Sequence, residues 1–127
     1  MEWASAYAVT LLVEVPLVVA LMRAAGWVPR DVDGGFSWPG ALLLAWALNL
    51  THPVLWWIGP GSVAGVLVAE VLIFLVEGMV LGLVAARVTR SPAPGITVAM
   101  GLLIAFAANF ASFALGLGLY HWGLLPG

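Results

Sequence analysis

The sequence predicts an all-α membrane protein, an antiparallel bundle of four transmembrane helices. Three observations carry that prediction. The 127 residues are 64% hydrophobic and only 8% charged, and a soluble domain of this size leaves too much of its area in solvent to cover so much apolar surface. Four apolar stretches are each long enough to cross about 30 Å of hydrocarbon, which takes about 20 helical residues. All four basic residues fall in two alternate connections. A chain in lipid must satisfy its own backbone, so helices are the expected form, and short connections make them antiparallel neighbours in one domain covering residues 1–127.

The first span is placed at 4–22. Its opening, Met1-Glu2-Trp3, has no basic segment, and Glu14 interrupts its apolar run, so it is read as a span rather than a cleaved leader. The second is placed at 38–58, after Gly34-Gly35 and Pro39-Gly40, the third at 62–86, after Gly59-Pro60-Gly61, and the fourth at 95–120, after Pro92-Ala93-Pro94. Arg23 and Arg30 follow the first span, and Arg87 and Arg90 follow the third. The positive-inside rule then puts these two connections in the cytoplasm and both termini outside, as in a protein of the bacterial inner membrane. Trp3, Trp27, Trp38, Trp56, Trp57 and Trp122 lie near span ends, where indole rings sit at headgroup level, whereas Trp46 lies inside the second span. The connection from Ala24 to Ser37, with Arg30, Asp31 and Asp33 among glycines, reads as a solvated turn.

Composition also excludes whole classes of function. The absence of cysteine rules out disulfides, thiolate metal sites and cysteine nucleophiles. A net charge of −2 with four basic residues offers no patch for nucleic acid.

What remains is a set of ionisable residues inside apolar runs: Glu14, His52, Glu70 and Glu77. A charge at mid-bilayer costs roughly 2.5–3.5 kcal/mol on insertion scales, and residues kept at that expense mark sites that bind, conduct or react. Ranked by height, Glu14, Asn49, His52, Glu70, Asn109 and Ser112 share the central and outer layer, and Glu77 lies toward the cytoplasm. Asn49 and His52 are three apart on one helix face, as are Asn109 and Ser112. Glu70 and Glu77 are seven apart, so they project from one face about 10 Å apart along the axis. Pro16 and Pro53 lack N–H groups and are expected to free the carbonyls of Leu12 and Asn49 beside this layer. His52 is the one candidate cation at that depth, so the three glutamates cannot all be ionised and at least one is expected to keep its proton. Thr51 and Ser112 read as hydrogen-bonding glue between helices, and Asn49 and Asn109 read equally as glue or as site residues.

No cofactor is predicted. A divalent metal on His52, Glu14 and Glu70 stays open as an alternative because imidazole and carboxylates suit zinc or iron, although no His-x-x-x-His or Glu-x-x-His pattern accompanies them. His121, beside Trp122, reads as an interfacial residue. Gly78-x-x-x-Gly82 is a close-packing motif, suited to a helix–helix contact or to a homodimer face.

The combination of Glu14-Val15-Pro16, Asn49-x-x-His52-Pro53, two glutamates in the third span and Ala108-Asn109-x-x-Ser112 resembles small four-span bacterial membrane proteins, a likeness that carries no function with it. The first span alone, with Glu14 followed by Leu21-Met22-Arg23 and Gly26, is similar to that of the small multidrug resistance transporters. That likeness implies competition between protons and cationic substrates at Glu14. Glu70, Glu77 and the His52-Pro53 pair have no counterpart in that family.

The resulting expectation is a site for a proton or a small cationic or polar substrate, serving transport. Glu14 and Glu70 form the titrating pair, His52 is their partner, Asn49 and Asn109 orient them, and Glu77 is an inner relay. Two alternatives come from other classes. One is an intramembrane acid–base enzyme using Glu14, His52 and Glu70 on a lipid or isoprenoid. The other is an accessory subunit of a larger membrane complex.

Overall fold

A computed structural model describes residues 3–28, 34–59 and 61–124. Arg30, Asp31, Asp33 and Pro60 therefore lie outside the described residues, as do the side chains of Trp3 and Trp56. The described residues form five helices and no strand: α1 (Trp3–Ala24), α2 (Trp38–Leu48), α3 (Thr51–Ile58), α4 (Val63–Val88) and α5 (Pro94–His121). Of these, α1, α4 and α5 are long and apolar enough to cross a membrane.

The stretch expected as one span at 38–58 is instead two short helices, α2 and α3, parted at Asn49 and Leu50. Pro53 has no N–H to give the carbonyl of Asn49, and the chain responds by tightening. The Leu50 N–H donates to the Ala47 carbonyl at 3.2 Å and the His52 N–H to the Asn49 carbonyl at 3.3 Å, both three residues back. The Thr51 hydroxyl takes the Leu48 carbonyl at 3.0 Å, and the Asn49 amide takes that of Ala45 at 3.0 Å. The Asn49 carbonyl expected to be free is thus occupied by His52. Pro16, by contrast, stays inside a continuous α1.

The helix ends follow from local sequence. Ser37 and Ser62 accept from the N–H groups of Gly40 (3.1 Å) and Gly65 (3.0 Å), capping α2 and α4. Pro94 opens α5, where a missing N–H costs nothing. Gly59 stops α3 in the left-handed conformation, φ 64°.

Packing makes a ring in which α1 and α4 each touch α5 on one side and the α2–α3 pair on the other. The tightest seam joins α4 to α5. A Cβ added to Gly82 would stand 2.5 Å from the Val98 Cα, one on Gly78 2.6 Å from the Leu102 Cα, and one on Gly101 2.5 Å from the Gly82 nitrogen. Backbone meets backbone there, so the Gly78/Gly82 face is filled by α5 of the same chain. Of the two uses expected for this motif, a homodimer face and a contact between helices, the second is the one observed.

One end of the ring is filled with apolar side chains. Val18, Val19 and Met22 of α1 meet Ala41, Ala45 and Leu48 of α2, Leu81 and Ala85 of α4, and Ile104 and Ala108 of α5. Trp27, Val28 and Phe36 from the α1–α2 connection complete this core, and the Phe36 N–H donates to the Trp27 carbonyl at 2.7 Å. That part of the connection is buried rather than a solvated turn. Trp27, expected at an interface, is only 5% exposed, because Gly26 (φ 78°) turns the chain back beneath the ring. Arg23, Arg87 and Arg90 lie at this end, called the basic end below. Ala6 of α1, Val66 of α4 and Tyr120 of α5 lie at the opposite, far end.

Candidate functional site

Directly above the apolar core, toward the far end, the ring closes over a polar layer. Glu14 on α1, Asn49 after α2, His52 on α3, Glu77 on α4 and Asn109 and Ser112 on α5 are all buried, Glu14 and Asn49 to within 1%. The long helices contribute because each carries a polar position just beyond its core-facing residues: Glu14 before Val18, Glu77 before Leu81, Asn109 after Ala108.

The layer is organised around His52. Its Nε2 stands 3.8 Å from Glu14 Oε1 and its Nδ1 3.8 Å from Glu77 Oε1. Both separations are within ion-pair range and beyond the roughly 2.7–3.2 Å of a formed hydrogen bond. One imidazole therefore stands between two carboxyl groups contributed by opposite helices. Each carboxyl has its own support. Thr51 donates to Glu77 Oε1 at 2.5 Å, and the Asn109 amide to Glu77 Oε2 at 2.9 Å. Ser112 donates to Glu14 Oε1.

Four buried polar atoms in this layer have no hydrogen-bond partner among the described residues: Glu14 Oε2, Asn49 Oδ1, His52 Nδ1 and Asn109 Oδ1. Three are acceptors. Leaving such atoms unmatched costs about 1–3 kcal/mol each, so the layer holds more polar capacity than its own side chains use.

Glu77 and Glu70 stand in the reverse of the expected order. Glu77, expected as an inner relay below the site, is at its centre and 3% exposed. Glu70, expected to pair with Glu14 and His52, is only partly buried and lines the wall of a cavity. The reason is the lean of helical side chains toward the N-terminus of their own helix. Glu77 on α4 leans toward the far end and Asn109 on the antiparallel α5 leans toward the basic end, so their tips meet although their Cα positions rank them at different heights. Thr51 and Ser112, expected as glue between helices, each contact a carboxyl directly. Their signal was position, since Thr51 adjoins His52 and Ser112 is one turn from Asn109.

The cavity holds about 240 Å³ and extends from His52 and Ser112 past Glu70 and Thr10 to Tyr120 near the far end. A second space of about 300 Å³ lies on the outer side of the α4–α5 pair, between Leu67, Val71 and Phe74 on α4 and Phe106, Phe110 and Phe113 on α5, with Glu70 and Asn109 also in its wall. Glu70 and Phe113 line both spaces.

Among the described residues no three of His, Cys, Asp and Glu are arranged to hold a metal ion. The metal alternative on His52, Glu14 and Glu70 therefore finds no support in the arrangement of the described residues. His121 is exposed at the end of α5.

Comparison with protein-family models, curated proteins and solved structures finds no match.

Proposed function

We propose that this chain is an integral membrane protein that binds a proton or small cation at the Glu14–His52–Glu77 layer and passes it across the bilayer. Membrane embedding is supported by the three long apolar helices and by the outward exposure of Leu12, Leu43, Val63, Leu72, Leu103 and Phe110, among others. The α2–α3 pair supplies the fourth crossing. Its 38–58 stretch would rise about 30 Å if helical throughout, the thickness of the hydrocarbon. Helices interrupted at mid-depth are tolerated where they are buried in protein, and they recur at transporter sites. With Arg23, Arg87 and Arg90 at the basic end, the positive-inside rule puts that end in the cytoplasm and opens the cavity to the outside.

The observation that carries the reading is the placement of one imidazole 3.8 Å from each of two buried carboxyl groups, with a cavity reaching that imidazole from the far end. Imidazole accepts a proton at one nitrogen and releases one from the other, so His52 can connect Glu14 to Glu77 with small ring movements. Asn109, Thr51 and Ser112 hold the carboxyl groups in register.

The test is proton flux in proteoliposomes, read with an entrapped pH-sensitive dye. Glu14→Gln and Glu77→Gln are each expected to lower flux by roughly a hundredfold, the scale on which a positioned proton-transfer group acts. Folded variants with unchanged flux overturn the reading.

A further inference from the structure

The break between α2 and α3 is held by a hydroxyl that also serves the buried site. In a continuous helix the Leu48 carbonyl would accept from the His52 N–H, four residues on. Here that N–H goes to the Asn49 carbonyl at 3.3 Å, and the Thr51 hydroxyl stands 3.0 Å from the Leu48 carbonyl. The same Thr51 oxygen lies 2.5 Å from Glu77 Oε1. A hydroxyl has one proton to give and two lone pairs, so it cannot donate fully to a carbonyl and a carboxylate at once.

Two proton arrangements satisfy that count. With Glu77 protonated at Oε1, its O–H donates to Thr51 and the Thr51 O–H donates to Leu48. With Glu77 ionised, the Thr51 O–H turns to the carboxylate, the stronger acceptor, and is lost to the Leu48 carbonyl. The Asn109 amide donates to Glu77 Oε2 in both, at 2.9 Å.

The Glu14 side of the layer supplies a contrast. Ser112 stands likewise between Glu14 Oε1 and the Asn109 carbonyl, the latter at 3.0 Å. That carbonyl lies inside the unbroken α5, where the Phe113 N–H is its ladder partner. A turn of the Ser112 hydroxyl leaves the α5 ladder intact. At the α2–α3 break the hydroxyl stands in for the ladder.

We infer that this break is a proton-operated joint, bonded at Leu48 while Glu77 holds its proton and released when Glu77 gives it up. Thr51 is the positioning residue between them. The inference rests on the reading of this layer as a proton pathway and adds a motion coupled to it. His52 follows Thr51 on α3, so release of the joint loosens the imidazole that stands between Glu14 and Glu77. Glu77 is faced by His52 from α3 at 3.8 Å, by Asn109 from α5 and, across the imidazole, by Glu14 from α1. Glu70 lies two turns away on its own helix, and α2 carries no titratable side chain.

The Leu48 carbonyl can be followed alone, because Leu-Asn occurs once in the sequence. Isotopic labelling of leucine carbonyl carbons and asparagine nitrogens isolates its resonance in the full chain in micelles. An upfield shift is expected as pH rises and Glu77 ionises, the sign for a carbonyl losing a hydrogen bond. Glu77→Gln keeps an N–H donor toward Thr51 and should hold the downfield, bonded position at every pH. Thr51→Val should hold the upfield position at every pH, and Thr51→Ser should restore the titration. A resonance that ignores pH in the parent, as for a proton shared between both acceptors, overturns the inference. So does one that titrates equally in Glu77→Gln or is unmoved by Thr51→Val. Proton flux in proteoliposomes separates the two readings. Flux that needs Glu77 beside a silent Leu48 sinks the joint alone, and a titrating Leu48 without flux sinks the transport reading alone.

Discussion

At the basic end of the bundle α4 and α5 touch through Gly78, Gly82 and Gly101, and the centre is filled by Met22, Leu81, Ala45, Ala108 and the tucked-in Trp27. At the far end the same two helices part around Glu70 and Phe113, and spaces of about 240 and 300 Å³ open on either side. Residue size accounts for the difference. Helices without side chains at their contact approach until backbones meet, whereas Phe74, Phe106, Phe110 and Phe113 line a space beside the same two helices at the far end. The polar layer lies at the boundary between the two regimes. There it is dry enough to strengthen its electrostatics and close enough to the cavity to exchange with what enters.

The contrast is sharpest when one substitution is made at both ends. Gly101→Ala and Gly116→Ala change the same helix in the same way. A Cβ at 101 collides with the Gly82 backbone, which cannot move aside, whereas one at 116 meets nothing within 4 Å. The first is expected to cost about 3 kcal/mol, at the upper end for overpacking, and the second to stabilise by about 0.5–1 kcal/mol through helix propensity. Reversible unfolding in mixed micelles, followed by helicity, reads both, and equal effects would break the comparison.

A second pair probes the boundary itself. Glu77→Ala removes one acceptor each from Thr51 and Asn109 and leaves a cavity, for an expected loss of about 2 kcal/mol. Glu70→Ala, on the cavity wall, should fall within about 0.5 kcal/mol of the parent in the same assay. The reverse order would restore Glu70 to the centre of the site.

The smallest effects concern the caps. Ser37 caps α2 at the packed end and Ser62 caps α4 at the open end. Each alanine variant loses one hydrogen bond, about 1 kcal/mol or less. Ser37→Ala should lower global stability by that amount. Ser62→Ala should mainly speed amide exchange over the first turns of α4, because loosely packed segments open locally without unfolding the rest.

Much of this contrast could be read in the sequence. Apolar length and the breakers around it located α1, α4 and α5 within a few residues, and the polar positions that meet at His52 were all identifiable as exceptions in apolar runs. Three things were not legible. The interruption at Asn49–Leu50 lies in a stretch apolar enough overall to read as one span, and it depends on which carbonyls remain after Pro53 removes a donor. The exchange of Glu70 and Glu77 depends on side-chain lean, to which ranking by Cα height is blind. The burial of Trp27 depends on a glycine turn that redirects the chain, whereas a tryptophan after a span reads by default as interfacial.

The glycine seam also makes the α4–α5 pair a lever with its fulcrum at Gly78. Glu77 is one residue from that pivot and Glu70 eight, about 12 Å along the axis. A tilt of one helix against the other by about 1° would shift Glu70 by about 0.2 Å and leave Glu77 nearly still, given that about 1.5 Å of rise separates Glu77 from the pivot. Of two carboxyl groups on one helix face, one therefore sits at the seam and the other where any tilt of the pair would be largest.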